Sequence, residues 1–139
     1  MNAEVWERLL ITGILVGGGA VGYLLLNRLL LKRAVNHLAR FGAYRPGLPT
    51  IVYFTTPTCA PCLTMQRPII ERLQTRLGRW LQVIEVDASI HPEVARAWGV
   101  ISVPTTFVFD AVGRPRSVNH GVASAETLLK QLDLEDFSI

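Results

Sequence analysis

The chain has two cysteines, Cys59 and Cys62, which form a C-x-x-C pair. Two cysteines are too few for a disulfide-stapled scaffold, whereas this spacing is typical of thiol–disulfide redox motifs and of half of a metal site. A zinc site would need two further ligands, and the histidines His37, His91 and His120 show no zinc-ligand spacing. The pair therefore indicates exchange through a redox-active Cys59–Cys62 disulfide, with no metal and no other cofactor.

The sequence around the pair places it where a strand turns into a helix. Residues 50–54 are a β-rich apolar run, and an amphipathic pattern predicts a helix over about residues 59–77. A sulfur at such a turn lies beside free N–H groups at the positive end of the helix dipole, which lowers a thiol pKa below about 8.5. Pro61 suits the first helical turn because its missing N–H has no partner there. We therefore predict Cys59 as the nucleophile and Cys62, one turn on and more shielded, as the resolving thiol.

The elements that must position this pair alternate along the second half of the chain. After the first strand and helix, the patterns predict a strand over 81–87, a helix over 92–98, a hairpin with strands 105–110 and 116–118, and a last helix over 124–132. The order is β-α-β-α-β-β-α. It predicts an α/β domain over residues 49–139, and the family resemblance described next implies a central mixed sheet.

This order of elements resembles the thioredoxin fold without its extra amino-terminal strand. Three local matches carry the resemblance: Cys59-Ala60-Pro61-Cys62 after the first strand, the stretch running from Val86-Asp87 through His91-Pro92-Glu93 to Trp98-Gly99-Val100, and Val103-Pro104-Thr105 before a strand. The chain is thus similar to the thioredoxin-fold thiol–disulfide oxidoreductases. The resemblance implies exchange with protein dithiols and disulfides, and a role in cell redox homeostasis.

The resemblance also assigns residues around the disulfide. In this family the proline that matches Pro104 is cis and lies against the disulfide, so the preceding backbone is free to pair with an extended substrate. The alternative is an ordinary strand-entry proline. The substrate-binding residues that we expect are Thr58, Ala60, Pro61, Val103, Pro104 and Thr105.

Four positions depart from the family pattern. Thr58 stands where thioredoxins usually have tryptophan, and Tyr53 stands where they often bury an aspartate that accepts a proton from the second cysteine. Glu85 occupies the place of a common basic residue. It either supplies the displaced carboxylate as a proton acceptor or is an ordinary solvated strand residue. Pro68 lies six residues after Cys62 rather than five, which predicts a displaced helix kink.

The amino-terminal part of the chain is apolar. Residues 9–27 carry no charge and lie between Arg8 and Arg28, and as a helix they would span about 28 Å, close to the hydrocarbon thickness of a bilayer. Acidic residues before the run, the length of the run and the lack of a small-x-small cleavage pattern disfavour a signal peptide. Five glycines disfavour a buried soluble helix. The predicted division is a flank over 1–8, a transmembrane helix over 9–31, a basic juxtamembrane helix and linker over 32–48, and the domain over 49–139.

The charges are unevenly placed along the chain. Residues 1–47 hold six basic and two acidic side chains, whereas residues 48–139 hold eight and nine. The basic isoelectric point therefore describes the membrane end and gives no support for nucleic-acid binding. Most of the flanking positive charges follow the span: Arg28, Lys32, Arg33, Arg40 and Arg45. The positive-inside rule then predicts a single-pass protein whose domain faces the cytoplasm, the alternative being an extracytoplasmic domain.

The glycines of the span leave a second function open. They form two small-x-x-x-small patterns that let another transmembrane helix approach: Gly13 with Gly17, and Gly18 with Gly22. Glycine is also simply frequent in membrane spans. The leading hypothesis is a membrane-tethered thiol–disulfide oxidoreductase in contact with lipid. The alternative is a structural or assembly subunit of a membrane complex, with an idle or regulatory C-x-x-C.

Overall fold

A computed structural model describes residues 3–38 and 42–135 of the chain. It contains helix α1 (Ala3–Leu38), strand β1 (Thr50–Thr55), a π-helical turn (Cys62–Gln66), helix α2 (Arg67–Leu77), a 3₁₀ turn (Gly78–Trp80), strand β2 (Gln82–Asp87), helix α3 (Pro92–Ala97), strands β3 (Thr105–Phe109) and β4 (Pro115–His120), and helix α4 (Ala125–Gln131). The predicted order after the first helix is confirmed. Arg40 and the ends of the predicted segments, residues 1–2 and 136–139, lie outside the described residues.

The four strands form one mixed sheet in the order β2-β1-β3-β4. Strand β1 is parallel to β2 and antiparallel to β3, and β4 is antiparallel to β3. One edge, which we call the site edge, therefore collects Thr55, Asp87, Thr105 and His120. The opposite edge, which we call the far edge, collects Thr50, Gln82, Phe109 and Pro115.

The side chains of β1 alternate between the two faces of the sheet, and each face has its own core. Val52 and Phe54 face the side covered by α3, where the Trp98 and Phe107 rings lie 5.0 Å apart between centroids. Ile51 and Tyr53 face α2 and α4. Because both faces are covered, β1 reads as a continuous apolar run rather than as an alternating one.

The last third of α1 belongs to the first of these two cores. Leu30, Ala34 and Leu38 follow at four-residue spacing and are only 4%, 0% and 2% exposed, in the same cluster as Trp98. The approach is close, because a Cβ added to Gly99 would lie 2.3 Å from Leu30 Cδ2. The helical part of the predicted juxtamembrane segment 32–48 thus packs with the sheet. Leu30, Ala34 and Leu38 thus form an apolar stripe that is covered by protein.

The first two-thirds of α1 carry exposed apolar side chains. Ile14 is 71% exposed, and the most apolar 18-residue window of the helix has a mean hydropathy of 2.1 with none of it buried. By length and composition α1 is able to cross a membrane, a test that core helices and signal sequences also pass. We refer to this exposed part as the candidate span.

Removing the Leu30 side chain tests the contribution of α1 to the core. We expect Leu30→Ala to lower the free energy of unfolding by about 2–4 kcal/mol, since it leaves a cavity beside Gly99. Leu29→Ala is the matched control, because Leu29 is 56% exposed and its loss costs about 0.5 kcal/mol or less. Urea unfolding of the full chain in detergent measures both. Equal effects would show that the helix does not stabilise the domain.

Candidate functional site

Cys59 and Cys62 lie between the end of β1 and α2 and form a disulfide with a Cα–Cα distance of 5.2 Å. The backbone N–H of Cys62 donates to Cys59 Sγ at 3.2 Å. Cys59 is partly exposed, whereas Cys62 is fully buried. An incoming sulfur therefore reaches Cys59 before Cys62, and the N–H at the start of the helix is placed to stabilise a thiolate that forms at Cys59 on reduction.

The loop before β3 lies against the disulfide. The Val103–Pro104 peptide bond is cis, as the resemblance implied, and the Val103 carbonyl oxygen lies 3.7 Å from Cys59 Sγ. Pro104 in turn accepts a hydrogen bond from the N–H of Gly121 at 2.8 Å. The Thr105 side chain is buried and donates to the Ser102 carbonyl at 2.6 Å, so it shapes the loop rather than offering a surface.

The remaining predicted contact residues surround the disulfide on its open side. Thr58, Ala60 and Pro61 are all exposed. With Cys59 and the Val103 backbone they form one open surface, whose flat tryptophan wall is replaced by the small Thr58. The structure thus brings the predicted site residues together, with Glu85 set apart from this surface on β2.

The residues after Pro61 form a π-helical turn instead of α-helix. The N–H of Arg67 donates to the Cys62 carbonyl, five residues back. A π-turn accommodates one extra residue in a helix. This accounts for Pro68 lying six residues after Cys62, because the extra residue is absorbed before α2 begins at Arg67.

Tyr53 lies behind Cys62 where thioredoxins often have a carboxylate. It is 1% exposed, and its hydroxyl donates to the Cys62 carbonyl at 3.1 Å. Burial raises the pKa of Tyr53 above its usual value of 10, and the negative charge of Glu85 adds to the shift. The phenol therefore stays protonated at neutral pH and acts as a fixed donor, which supports the backbone of the second cysteine without accepting its proton.

Glu85 is the register partner of Tyr53 on the neighbouring strand. Its carboxylate pairs with Arg67 at 2.7 Å, and both side chains are partly exposed, at 48% and 39%. An ion pair with this exposure contributes about 0–1 kcal/mol to stability. The ion pair matters mainly for where it holds the carboxylate. Arg67 fixes Glu85 beside the first turn of α2, directly after the π-turn.

Gln66 is a site residue that the sequence analysis did not single out. It is fully buried, its Oε1 accepts from the N–H of Ala123 at 2.7 Å, and its Nε2 donates to the Ala123 carbonyl at 3.2 Å. Two residues earlier, Gly121 bonds Pro104. Gln66 thus links the cysteine-bearing turn to the strand end that holds the cis-proline loop. The signal was a lone polar residue on the apolar face of the predicted helix.

A C-x-x-C disulfide at a helix start, facing a cis-proline loop in this fold, defines a thiol–disulfide oxidoreductase of the thioredoxin class. The thioredoxin family model matches residues 45–134. The chain therefore belongs to the thioredoxin family, whose members use a redox-active disulfide, and Cys59–Cys62 is that disulfide.

Individual relatives agree with this assignment. A thioredoxin-like protein of Synechocystis is 33% identical over 86 residues, covering 62% of this chain and 80% of its own length. Mycobacterium tuberculosis thioredoxin is 33% identical over 84 residues, covering 60% of this chain and 71% of its own. The solved structure of a malaria parasite thioredoxin-2 has a TM-score of 0.58 at 23% identity, covering 65% of this chain and 85% of that one. That likeness shows the fold.

The family model matches the redox domain, and the candidate span lies outside the matched residues 45–134. Within residues 3–38 and 42–135, no group of three or more His, Cys, Asp or Glu side chains is placed to hold a metal ion. His37, His91 and His120 each lie apart from the disulfide in sequence and take no part in a cluster of that kind.

Replacing Gln66 tests the link between the two halves of the site. We expect Gln66→Leu to lower the free energy of unfolding by about 1–3 kcal/mol, because the buried N–H and C=O of Ala123 lose their partners. Gln74→Leu on the exposed side of α2 is the matched control, with an expected change of about 0.5 kcal/mol or less. Urea unfolding measures both variants. A Gln66 variant as stable as the control would contradict the link.

Proposed function

We propose that the chain is a membrane-tethered thiol–disulfide oxidoreductase that exchanges disulfides with protein substrates. The observation that carries the proposal is the placement of a partly exposed Cys59 sulfur between the Cys62 N–H, at 3.2 Å, and the Val103 carbonyl, at 3.7 Å. After reduction of the disulfide, the Cys62 N–H would stabilise the Cys59 thiolate. The other side of the sulfur adjoins a loop backbone to which an extended peptide is able to bind.

In the reductive direction, the Cys59 thiolate attacks one sulfur of a substrate disulfide. A Cys59–substrate disulfide forms, and the other substrate sulfur leaves as a thiolate. Cys62 then loses its proton and attacks Cys59 Sγ, which releases the second substrate thiol and forms the Cys59–Cys62 disulfide. The substrate gains two electrons and the protein loses two. The oxidative direction is the reverse of these steps.

The second step needs a proton acceptor for Cys62, and we propose Glu85 for this role. Tyr53 does not qualify, because its pKa is raised and it remains a donor. The Glu85 carboxylate lies beside Tyr53 on the same sheet register and is held by Arg67. A partly exposed carboxylate is able to take the proton through water and pass it to solvent.

Tethering is supported by the candidate span, whose 18-residue apolar window is unburied. We propose that the domain faces the cytoplasm, because the basic residues cluster after the span rather than before it. Three of them are exposed: Arg28, Lys32 and Arg33. The cytoplasm is reducing, so a domain on that side would act on membrane-bound targets as a reductant.

A second candidate function is assembly of a membrane complex. The observation that favours it is the open surface at Gly13, Gly17, Gly18 and Gly22, where an added Cβ would meet nothing within 4 Å. Such a surface suits lipid or the close approach of another transmembrane helix. In this case the disulfide would be idle or regulatory, and the chain would not turn over disulfide substrates.

Substitution of the two cysteines should have different effects on the exchange reaction. Cys59→Ser should abolish turnover, whereas Cys62→Ser should trap substrates as mixed disulfides, because attack survives and resolution does not. Non-reducing gel electrophoresis of the full chain with a disulfide-containing protein measures trapping. Trapping by the Cys59 variant would reverse the assignment, and full turnover by either variant would contradict the mechanism.

Replacing Glu85 tests the proton acceptor. Glu85→Gln should slow substrate reduction several-fold and displace its pH profile, because a neutral amide cannot accept the Cys62 proton. Glu71→Gln on the exposed face of α2 is the matched control and should leave the profile unchanged. Rates are measured from pH 6 to 9. Identical profiles for both variants and the parent would leave Glu85 as a surface residue.

A further inference from the structure

The direction in which α1 crosses the sheet is set by contacts at its two ends. After the helix the chain is at the far edge, where the Gly47 N–H donates to the Ala111 carbonyl at 3.0 Å. Earlier in the helix, Tyr23 lines a surface recess together with His120 and Val122, which lie at the site edge. Helix α1 thus runs from the site edge to the far edge.

The lengths of the elements agree with this direction. From Tyr23 to Leu38 a helix rises about 22 Å, and a six-residue strand spans about 20 Å. The residues before Tyr23 therefore project beyond the site edge. Of the uncharged run 9–27, residues 9–22 form about 21 Å of helix beyond the site edge, and residues 23–27 continue the run at the level of the sheet.

The outer side of α1 indicates how closely the bilayer approaches the domain. Leu24, Leu25 and Leu29 are 57%, 55% and 56% exposed, although Leu30 beside them is buried in the domain core. These leucines follow Tyr23, so they lie level with the sheet rather than beyond its edge. A bilayer that covers them must extend to the level of the site edge. Arg28, on the same exposed side, then lies at the depth of the headgroups.

The loops of the site edge present apolar side chains of their own. Ile90 follows β2, Ile101 precedes the cis-proline, and Val122 follows β4; they are 68%, 88% and 38% exposed. Cys59 follows β1, which lies two strands from β4, so its lateral offset from β4 is about 10 Å. The disulfide and these side chains therefore share the edge from which the candidate span leaves the domain.

We propose that α1 holds the Cys59 site against the membrane surface, so that its substrates are cysteines in the surface-lying segments of membrane proteins. The proposal rests on the proposed function and names the substrate class for the same exchange. The helix is continuous from Ala3 to Leu38, and its carboxyl-terminal part is packed into the domain core. It is therefore a rigid connection that fixes the distance of the Cys59 site from the membrane surface, whichever side of the membrane the domain faces.

The height of the site is measured by fluorescence quenching in vesicles of phosphatidylcholine and phosphatidylglycerol. The full chain carries Cys59→Ser and Cys62→Ser, with a single bimane-labelled cysteine introduced by Ile101→Cys or, as the control, by Val112→Cys in the far-edge turn, which is 72% exposed. Lipids with a nitroxide on the headgroup should quench the label at position 101 at least threefold more. Equal quenching, or stronger quenching at position 112, would overturn the proposal.

The substrate class is tested with one disulfide sequence presented in two ways, at the membrane surface on a transmembrane peptide and free in a soluble peptide. Reduced full-length chain in vesicles should reduce the membrane-borne disulfide at least tenfold faster than a soluble disulfide at matched concentration in the vesicle volume. Ten Gly/Ser residues inserted after Asn27 should remove the preference, since they make the connection between the candidate span and the domain flexible. The same insertion after Val112 should retain it.

The outcomes separate the two proposals. Equal rates for the two disulfides would overturn the surface-facing site and leave the oxidoreductase function standing. Reaction with neither disulfide would contradict the proposed function itself. A preference that survives the Asn27 insertion would show that α1 does not set the height of the site, which also overturns the proposal.

Discussion

The packing of Leu30, Ala34 and Leu38 against the sheet is the contact on which the rest of the molecule depends. This sheet carries apolar side chains on both faces, so both must be covered, and α2 and α4 cover one of them. On the other face α3 is only six residues long, so the last third of α1 completes the core beside Trp98. One helix is thus both a core element of a thioredoxin domain and the candidate span.

The redox site lies on the face of the sheet that α2 and α4 cover, and hydrogen bonds from residues of the core on this face hold it in place. The π-turn lets the Cys62 carbonyl accept from both Arg67 and Tyr53, and Gln66 ties the same turn to Ala123. A protonated phenol therefore stands where related proteins often have a carboxylate. The carboxylate of Glu85 lies on the neighbouring strand, at the register position of Tyr53. Under the proposed mechanism the two cysteines keep the chemistry of the family, and the proton leaves through Glu85.

The features that could be predicted from the sequence are those encoded by local signals. Strand and helix order, the C-x-x-C at a helix start and the cis bond before Pro104 all follow from short patterns or from the family resemblance. The Gln66–Ala123 pair could not be predicted, because its members lie 57 positions apart. The π-turn could not be predicted either, because α-helix and π-turn differ only in whether an N–H donates to the carbonyl four or five residues back. The packing of Leu30, Ala34 and Leu38 could not be predicted, because an apolar helix face fits lipid and protein equally well.

The central claim is that the candidate span and the redox domain form one rigid body. Pulsed electron paramagnetic resonance between spin labels introduced by Leu15→Cys and Val112→Cys measures this directly, in full-length chain in vesicles with Cys59 and Cys62 replaced by serine. Both positions are well exposed, at 69% and 72%. The account predicts a single narrow distance distribution. A broad distribution would show that the domain moves freely on its tether and would contradict it.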